Sequence, residues 1–292
     1  ARITRTAISP RLAIRIFLST NANVGAVTDG PGIHRTNASV EHRWTVRTVT
    51  ATGSTNADVL AAIDRGDRLG GTVLRAEHQT AGRGRMDRTW DAPPGSNLLA
   101  SLCFDDVPDH PAELTQAVGL AAVRAVDRLR PVGAVGDTLA RAGLKWPNDV
   151  LLGDVKLAGV LAQRSTRGPV VVGIGLNVDW APEGAACLAR DVGIDVDPPA
   201  VLDLLLAELD EHLRLDTTSR RARYVERLHT IGRTVRIKRP AGGDLLGVAE
   251  GVDEVGRLLV RPTAGSGGDG GAGVQAVDVG DIVHLRTPAI DQ

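Results

Sequence analysis

Apolar and polar residues follow two distinct periods between positions 44 and 230. Alternation at a period of two, together with short apolar runs bounded by turn residues, predicts strands. Apolar recurrence at three and four residues predicts helices. The predicted strands are 44–50, 71–79, 97–104, 144–152, 155–163 and 169–178, and the predicted helices are 54–66, 112–130, 199–215 and 219–228.

These elements indicate an α+β fold. The strands outnumber the helices and mostly follow one another along the chain, and Gly153-Asp154 marks a hairpin between two of them. We therefore expect a mixed or antiparallel sheet flanked by helices, with the helices packed on one side.

After Thr230 the pattern contains only short strands, which are predicted at 234–238, 245–253, 258–261 and 282–286. This pattern is typical of a small β-barrel or sandwich. Residues 264–273 are almost entirely Gly, Ala, Ser and Asp, which predicts a flexible loop within it. The chain thus divides into an extension at 1–43, an α+β domain at 44–230 and a β domain at 231–287.

Residues 1–43 show no sustained period apart from a short apolar stretch at 12–18. A DNA-reading helix-turn-helix needs two or three amphipathic helices, and none can be drawn here. We expect a poorly ordered extension without a DNA-binding domain, and a functional arm is the alternative.

Charge and composition narrow the functional class. The 292 residues carry 34 Lys plus Arg and 35 Asp plus Glu, which gives a formal charge of -1. The chain therefore has no net positive charge that would attract nucleic acid or a membrane surface. No apolar run approaches the about 18 residues of a membrane helix. Two distant cysteines, Cys103 and Cys187, can build neither a disulfide framework nor a structural zinc site. With no signal peptide in view, we expect a cytoplasmic protein.

A first polar cluster, Gly82-Arg83-Gly84-Arg85, follows a predicted strand. Glycines let backbone amides approach an anion, and guanidinium groups supply forked donors for phosphate or carboxylate. A solvated turn with exposed arginines is the alternative. The cluster matches neither the GxxxxGK[ST] nor the GxGxxG nucleotide motif.

Two more clusters lie further along the chain. In Lys145-Trp146-Pro147-Asn148-Asp149 the proline predicts an edge or bend that turns Asn148 and Asp149 away from the ladder. Asp149 is then a candidate Mg²⁺ ligand or amine-orienting carboxylate, and Lys145 and Lys156 are candidate phosphate partners. A charged hairpin with Trp146 in the core is the alternative. Asn177, at the end of an apolar strand, is either a sugar or phosphate ligand or a turn asparagine.

Together these residues resemble the biotin protein ligases over residues 52–286. The matching motifs are Gly-Ser-Thr-Asn at 53–56, Gln-Thr-Ala-Gly-Arg-Gly-Arg at 79–85 with Trp90, Lys-Trp-Pro-Asn-Asp at 145–149, Lys-Leu-Ala-Gly at 156–159 and Gly-Leu-Asn at 175–177. The resemblance implies the monofunctional type, with a catalytic domain related to class II aminoacyl-tRNA synthetases. Residues 281–286 resemble the end of that family's SH3-like C-terminal domain.

The resemblance implies a two-step reaction. Biotin and ATP, with Mg²⁺, give biotinyl-5'-AMP and pyrophosphate, and a lysine on the carrier domain of a carboxylase then takes the biotinyl group. Such chemistry requires alignment and charge neutralisation rather than an enzyme nucleophile. No Gly-x-Ser-x-Gly elbow is present, and neither cysteine has a polar, basic setting.

The same resemblance assigns roles to individual residues. The expected biotin-binding residues are Ser54, Thr55, Asn56, Gln79, Arg83, Gly84, Arg85, Trp90 and Lys156. The expected ATP-binding residues are Arg85, Lys145, Asn148, Asp149 and Asn177. Lys156, Arg85 and Asp149 are the expected catalytic residues, and Asp149 is also the candidate magnesium ligand.

One position departs from the family pattern. Family members commonly continue Gly-Arg-Gly-Arg-x-Gly-Arg-x-Trp, whereas this chain has Asp87 in place of a glycine. Asp tolerates left-handed backbone less well than Gly and adds negative charge near a phosphate. We therefore expect weaker retention of the adenylate than in a glycine variant.

Three rival functions are considered with the ligase. Lipoate or octanoate attachment uses a related fold, a biotin-sensing repressor would need a DNA-binding domain in residues 1–43, and an inactive ligand-binding module would lack turnover. The sequence names neither the acceptor carboxylase nor the oligomeric state, for which we expect a monomer or weak homodimer.

Overall fold

The computed structural model describes residues 43–130, 141–238, 243–263, 273–278 and 280–285. The strands are β1 (Thr45–Thr52), β2 (Thr72–Gln79), β3 (Asn97–Phe104), β4 (Ala142–Lys145), β5 (Asp149–Leu152), β6 (Val155–Arg164), β7 (Val170–Asn177), β8 (Thr234–Lys238), β9 (Leu245–Val252), β10 (Leu258–Pro262), β11 (Gln275–Val277) and β12 (Asp281–His284). The helices are α1 (Thr55–Arg65), α2 (Ala112–Leu129), α3 (Leu188–Val192), α4 (Pro198–Leu213) and α5 (Thr217–Glu226). None of the helices in these ranges is long and apolar enough to cross a membrane.

The first seven strands form one mixed sheet in the order β1-β2-β3-β7-β6-β5-β4. β1 and β2 are parallel and are joined through α1. The other neighbouring pairs are antiparallel. The arrangement confirms the predicted α+β fold with a mixed sheet flanked by helices.

Helices cover both faces of this sheet. α2 and α4 pack on one face, where Leu98 and Leu102 of β3 enter the larger core. α1 packs on the opposite face, where Ile63 lies in a smaller core with Cys103 and Val171. The expectation that all helices lie on one side was therefore wrong. β3 is buried at every position, and a strand buried on both sides needs cover on both faces.

The predicted strand at 144–152 is in fact two strands. β4 and β5 form an antiparallel hairpin in which Lys145 pairs with Asp149, and the chain reverses at the cis Trp146–Pro147 peptide bond. The proline does bend the chain, as predicted. Asp149, however, is not turned away from the ladder, because it also pairs with Gly159 of β6. The short elements α3 and β11 were not predicted, since a few residues carry little periodic signal.

The last five strands form a separate antiparallel sheet in the order β11-β10-β9-β8-β12. This sheet confirms the predicted small β part near the C-terminal end. The predicted loop at 264–273 and extension at 1–43 lie outside the described residues, apart from one residue at the end of each. Those two predictions and the domain boundaries therefore stay predictions.

The β4–β5 turn is held in place by contacts with the second sheet and with the segment that precedes it. Trp146 is buried, and its Nε1 donates to Gly256 O at 2.9 Å. The backbone N–H of Trp146 donates to Thr230 Oγ1 at 3.0 Å, and a ring nitrogen of His284 lies 3.1 Å from the same hydroxyl. Trp146 therefore fills the core, and the turn that carries Asn148 and Asp149 has a fixed position.

Candidate active site

A cavity of about 230 Å³ opens on the face of the large sheet that carries α1. Its walls come from the start of α1, the loop after β2, the β4–β5 turn, β6 and β7. Every residue predicted from the sequence as a site residue lines this cavity: Ser54, Thr55, Asn56, Gln79, Arg83, Gly84, Arg85, Trp90, Lys145, Asn148, Asp149, Lys156 and Asn177. The fold therefore brings the dispersed motifs to one place.

Glycines form the floor of the cavity. Gly159 and Gly175 pair across β6 and β7, and the indole of Trp90 lies on both. A Cβ atom on Gly175 would lie 2.4 Å from the Trp90 ring, and one on Gly173 would lie 2.3 Å from Asn56 Oδ1. Because such distances are shorter than van der Waals contact, close approach of a flat ring requires glycine at these positions.

Amide and hydroxyl groups form a buried network at the Gly173 end of this floor. Gln79 Oε1 accepts from Thr55 N at 2.8 Å and from Thr55 Oγ1 at 3.0 Å. Asn56 Nδ2 donates to Gln163 Oε1 at 2.9 Å. Ser101 Oγ lies 2.6 Å from both Thr55 Oγ1 and Asn56 Oδ1. Ser101 was not predicted as a site residue, because a single hydroxyl within an apolar strand is its only signal in the sequence.

Ser54 is the N-cap residue of α1, in extended backbone conformation, but its side chain makes no cap hydrogen bond. Instead it lines the cavity. The helix therefore begins where the sequence predicts it, while the usual side-chain capping contact is absent.

The loop between β2 and β3 folds into a narrow two-stranded ribbon along the cavity wall. Arg83 and Thr89 form an antiparallel bridge, and Trp90 N donates to the carbonyl of Gly82 at 2.9 Å. A Cβ atom on Gly82 would lie 2.3 Å from the carbonyl oxygen of Trp90. The glycine thus permits the two arms to approach and brings Trp90 back over the floor.

The tip of this ribbon is a left-handed turn. Met86 has φ 53° and Asp87 has φ 55°, and Arg88 N donates to Arg85 O at 3.2 Å. Two successive positive φ values define a type I′ turn, which favours Asn-Gly and similar pairs. Asp87 therefore occupies a position where the backbone prefers glycine, as the sequence comparison predicted.

Arg85 links the ribbon to both sheets. Its Nη1 donates to Asn148 Oδ1 at 3.1 Å, and its Nη2 donates to Gly280 O at 3.4 Å. Asn148 is itself held, because its Nδ2 donates to Val160 O at 2.9 Å. Ile282 of β12 also reaches the cavity wall. The guanidinium of Arg85 is therefore oriented before any ligand arrives.

Lys156 provides an ammonium group beside the floor. Its Nζ lies 2.7 Å from Asp149 Oδ1 and 5.6 Å from the centroid of the Trp90 indole. The Lys156 side chain is 38% exposed, so an anion can still reach it. A bound carboxylate or phosphate oxygen could therefore join an existing ion pair.

A β-bulge directs Lys156 into the cavity. In the pairing of β5 with β6, Val150 lies opposite Ala158 and Leu151 lies opposite Lys156, so Leu157 is an extra residue. Strict alternation from Gly159 would send Lys156 to the α2 face of the sheet. The extra residue restores it to the cavity side, the re-aiming effect known for bulges next to functional sites.

Asn177 lies deeper than the other predicted site residues. Its Oδ1 accepts from Asn97 Nδ2 at 3.2 Å, and its Nδ2 donates to Ala186 O at 2.9 Å. Both groups thus have protein partners, which is the arrangement expected of a turn asparagine. A direct contact of Asn177 with ATP stays a prediction.

Two titratable groups have strongly shifted pKa values. Burial, together with the positive charges of Lys145 and Arg233, lowers the pKa of His284 to about 4. This histidine is therefore neutral near pH 7. Burial, with the nearby Asp105 carboxylate, raises the pKa of the Cys103 thiol to about 11, so it is no thiolate nucleophile. Among the described residues, no three His, Cys, Asp or Glu side chains are placed to hold a metal ion.

Comparison with known proteins places this fold and cavity among the protein ligases. The sequence profile of the biotin/lipoate A/B protein ligase family matches residues 54–179. A biotin--[acetyl-CoA-carboxylase] ligase of Mycobacterium tuberculosis is 41% identical over 82% of this chain and 88% of its own length. The corresponding ligase of Paracoccus denitrificans is 34% identical over 73% of this chain and 93% of its own length.

A solved structure shows the same architecture. The biotin protein ligase from Aquifex aeolicus in complex with biotin and ATP aligns over 83% of this chain and 99% of that chain, with a TM-score of 0.68 and 25% identity. The chain therefore belongs to the biotin protein ligase family.

Proposed function

We propose that this protein activates biotin with ATP as biotinyl-5'-AMP and transfers it to a specific lysine of the biotin carrier domain of a carboxylase. Family membership and the names of the M. tuberculosis and P. denitrificans relatives support this function. The observation that carries the proposal is the glycine floor, which runs from Asn56 beside Gly173 to Lys156 beside Gly159. The floor thus leads from a polar wall to a fixed cation.

In the first step a carboxylate oxygen of biotin attacks the α-phosphorus of ATP, and the bond to pyrophosphate breaks. Two anions must approach each other, so positive charge has to be in place beforehand. Lys156 and Arg85 supply that charge, and the backbone of Arg83 and Gly84 surrounds the carboxylate. Because Asp149 and Asn148 already hold these two cations, little reorganisation is needed when the substrates bind.

In the second step the amine of the carrier lysine attacks the acyl carbon of the adenylate. The bond between the acyl carbon and the phosphate oxygen breaks, AMP leaves, and the amine releases a proton. Asp149 orients this amine from the cavity wall. Trp90, lying over the floor, keeps water from the acyl-adenylate, which would otherwise hydrolyse.

ATP and Mg²⁺ complete the proposed reaction. Lys145, Asn148 and Asn177 are the proposed nucleotide-binding residues beside Arg85. Mg²⁺ is commonly held by one or two carboxylates together with substrate phosphates. Asp149, the proposed ligand, therefore suits a metal that arrives with the nucleotide better than one held by protein groups alone.

The proposed setting follows from this chemistry. The partner is the carrier domain of a biotin-dependent carboxylase, and neither nucleic acid nor a membrane takes part. We propose the cytoplasm as the location, because ATP is available there, and a monomer or weak homodimer as the functional unit.

Biotin is preferred to lipoate or octanoate for a physical reason. Thr55, Asn56 and Gln79 form a polar wall that matches a ring with both N–H and carbonyl groups. An apolar ring or chain would gain no hydrogen bonds from this wall, whereas a ring with N–H and carbonyl groups would. The repressor alternative is disfavoured because the M. tuberculosis and P. denitrificans relatives, of which this chain covers 88% and 93%, are named as ligases. By contrast, this chain covers only 66% of the bifunctional ligase/repressor BirA of Escherichia coli, at 31% identity.

ATP/pyrophosphate exchange with Mg²⁺ and without carrier tests the proposal. Biotin, lipoate, octanoate and no acid are compared in wild type, Lys156→Ala and Lys238→Ala, the last altering an exposed lysine away from the cavity. We expect exchange with biotin only, lost in Lys156→Ala and retained in Lys238→Ala. Exchange with lipoate or octanoate instead would identify the protein as a lipoate or octanoate ligase. No exchange with any acid would leave only a binding function.

A further inference from the structure

Ser101 lies behind the polar wall of the cavity rather than on it. The residue is fully buried in β3, and its Oγ is 2.6 Å from Thr55 Oγ1 and 2.6 Å from Asn56 Oδ1. A serine hydroxyl has one proton to donate and two lone pairs to accept with. The direction of each hydrogen bond in this cluster can be worked out from its fixed neighbours.

The amide of Asn56 has one possible orientation. Its Nδ2 is 3.2 Å from the carbonyl oxygen of Leu161 and 2.9 Å from Gln163 Oε1. A backbone carbonyl can only accept, so the atom facing it must be the amide nitrogen. Asn56 Oδ1 therefore faces Ser101, and it can only accept.

The amide of Gln79 is fixed in the same way. The backbone N–H of Thr55 can only donate, so the Gln79 atom at 2.8 Å must be the oxygen. The Thr55 hydroxyl lies 3.0 Å from that same oxygen and donates its only proton to it. Toward Ser101, Thr55 Oγ1 is consequently an acceptor.

Ser101 thus faces two acceptors with a single proton. One of the two short oxygen–oxygen contacts has no hydrogen between its atoms, so the wall is short of one donor. An N–H group arriving from the cavity at Thr55 Oγ1 or Asn56 Oδ1 would supply the missing donor. Gln79 Nε2 lies beside Gly82, where a Cβ would be 2.9 Å away, and provides the complementary donor for a carbonyl oxygen.

We propose that Ser101 is a positioning residue that sets the hydrogen-bond polarity of this wall and thereby its selectivity for a ring with urea-type N–H and C=O groups. The inference rests on the proposed function, in which that ring is the ureido ring of biotin. Ser101 does not contact the ligand. It holds Thr55 and Asn56 as acceptors.

Isothermal titration calorimetry of the full chain tests this role with three acids: biotin, dethiobiotin, which keeps the urea ring, and octanoate, which has none. The variants are Ser101→Ala, which removes the hydroxyl, and Ser101→Cys, whose slightly larger thiol donates only weakly. Ser165→Ala is the matched control, since Ser165 is a buried serine that donates to Asp64 Oδ1 at 2.8 Å away from the cavity wall. Thermal unfolding shows whether each variant is folded.

Loss of one such hydrogen bond corresponds to about a tenfold change in affinity. We expect both Ser101 variants to weaken biotin and dethiobiotin by about this factor, with octanoate affinity unchanged, and Ser165→Ala to bind like wild type. Equal affinity for biotin in wild type and Ser101→Ala, or a parallel loss for octanoate, would overturn the inference. Wild-type protein that binds no biotin would instead overturn the proposed function, and the inference with it.

Discussion

The ammonium of Lys156 and the carboxylate of Asp149 form an ion pair at 2.7 Å between the neighbouring strands β5 and β6. Lys156 reaches the cavity because a bulge at Leu157 shifts the alternation of β6 by one residue, and Asp149 on β5 also lines the cavity. A cation held in advance stabilises developing charge more effectively than one that must be recruited. The position of the proposed catalytic pair therefore depends on the register in which β5 and β6 are paired.

Substitution of this pair should separate the two half-reactions. We expect Lys156→Ala to lower adenylation about 100-fold, because it removes the cation between two anions. Asp149→Asn keeps the shape but removes the carboxylate, so adenylation should fall by about tenfold and transfer to the carrier lysine by more. Pyrophosphate exchange measures the first step, and single-turnover transfer from preformed adenylate measures the second. An equal effect of Asp149→Asn on both steps would contradict an orienting role toward the amine.

Gly175→Ala should obstruct the floor. The added Cβ would lie 2.4 Å from the Trp90 ring, so the indole must move or the strand must shift. Overpacking of this kind typically disturbs a site by about 1–3 kcal/mol, and we expect biotin affinity to fall about tenfold or more. Gly251→Ala is the control, because its Cβ would meet only Leu259 Cδ1 at 3.9 Å. Calorimetric titration with biotin measures the difference, and equal affinities in the two variants would refute the floor argument.

Asp87→Gly should lengthen the lifetime of bound biotinyl-AMP. The residue adopts φ 55°, where a non-glycine residue is less favourable by about 1 kcal/mol. Relief of this cost should slow adenylate release about fivefold, measured by rapid filtration of labelled adenylate. Asp87→Asn removes the negative charge but keeps a side chain at the turn. It therefore separates the effect of the backbone conformation from the effect of the charge on the lifetime. An unchanged lifetime of the adenylate in Asp87→Gly would contradict this prediction.

Stability should depend on pH through His284. Its pKa in the folded protein is about 4, against an ordinary value of 6.5, so between these values the unfolded chain binds a proton that the folded chain does not. Unfolding is therefore favoured as pH falls through this window, and the stability is fully present above it. Burial also lowers the pKa of His212, which acts in the same direction. We expect His284→Gln to show a smaller fall in Tm from about pH 6.5 to 4 than wild type, and parallel curves would exclude a contribution from His284.

Much of the fold could be predicted because local periodicity survives folding. The long helix α2 and the strand β3 match their predicted spans closely, since each has an apolar pattern over many residues. The β4–β5 hairpin was predicted wrongly as a single strand. Its turn lies within a continuous stretch whose apolar pattern also fits one strand. The packing of α1 on the second face of the sheet was not predicted either. Periodicity identifies what is buried, but it does not identify which helix covers it.

For the site, sequence alone determined the chemical groups. Glycines, guanidinium groups, a lysine and amides occur in motifs whose spacing already indicated an anion and a small polar ring. Tertiary structure decided how they meet. The bulge that turns Lys156 into the cavity, the contact of Trp90 with Gly175 and the hidden hydroxyl of Ser101 all depend on strand register. A bulge and the contacts between different strands leave no periodic signal in the sequence, so they become visible only once the strands are paired.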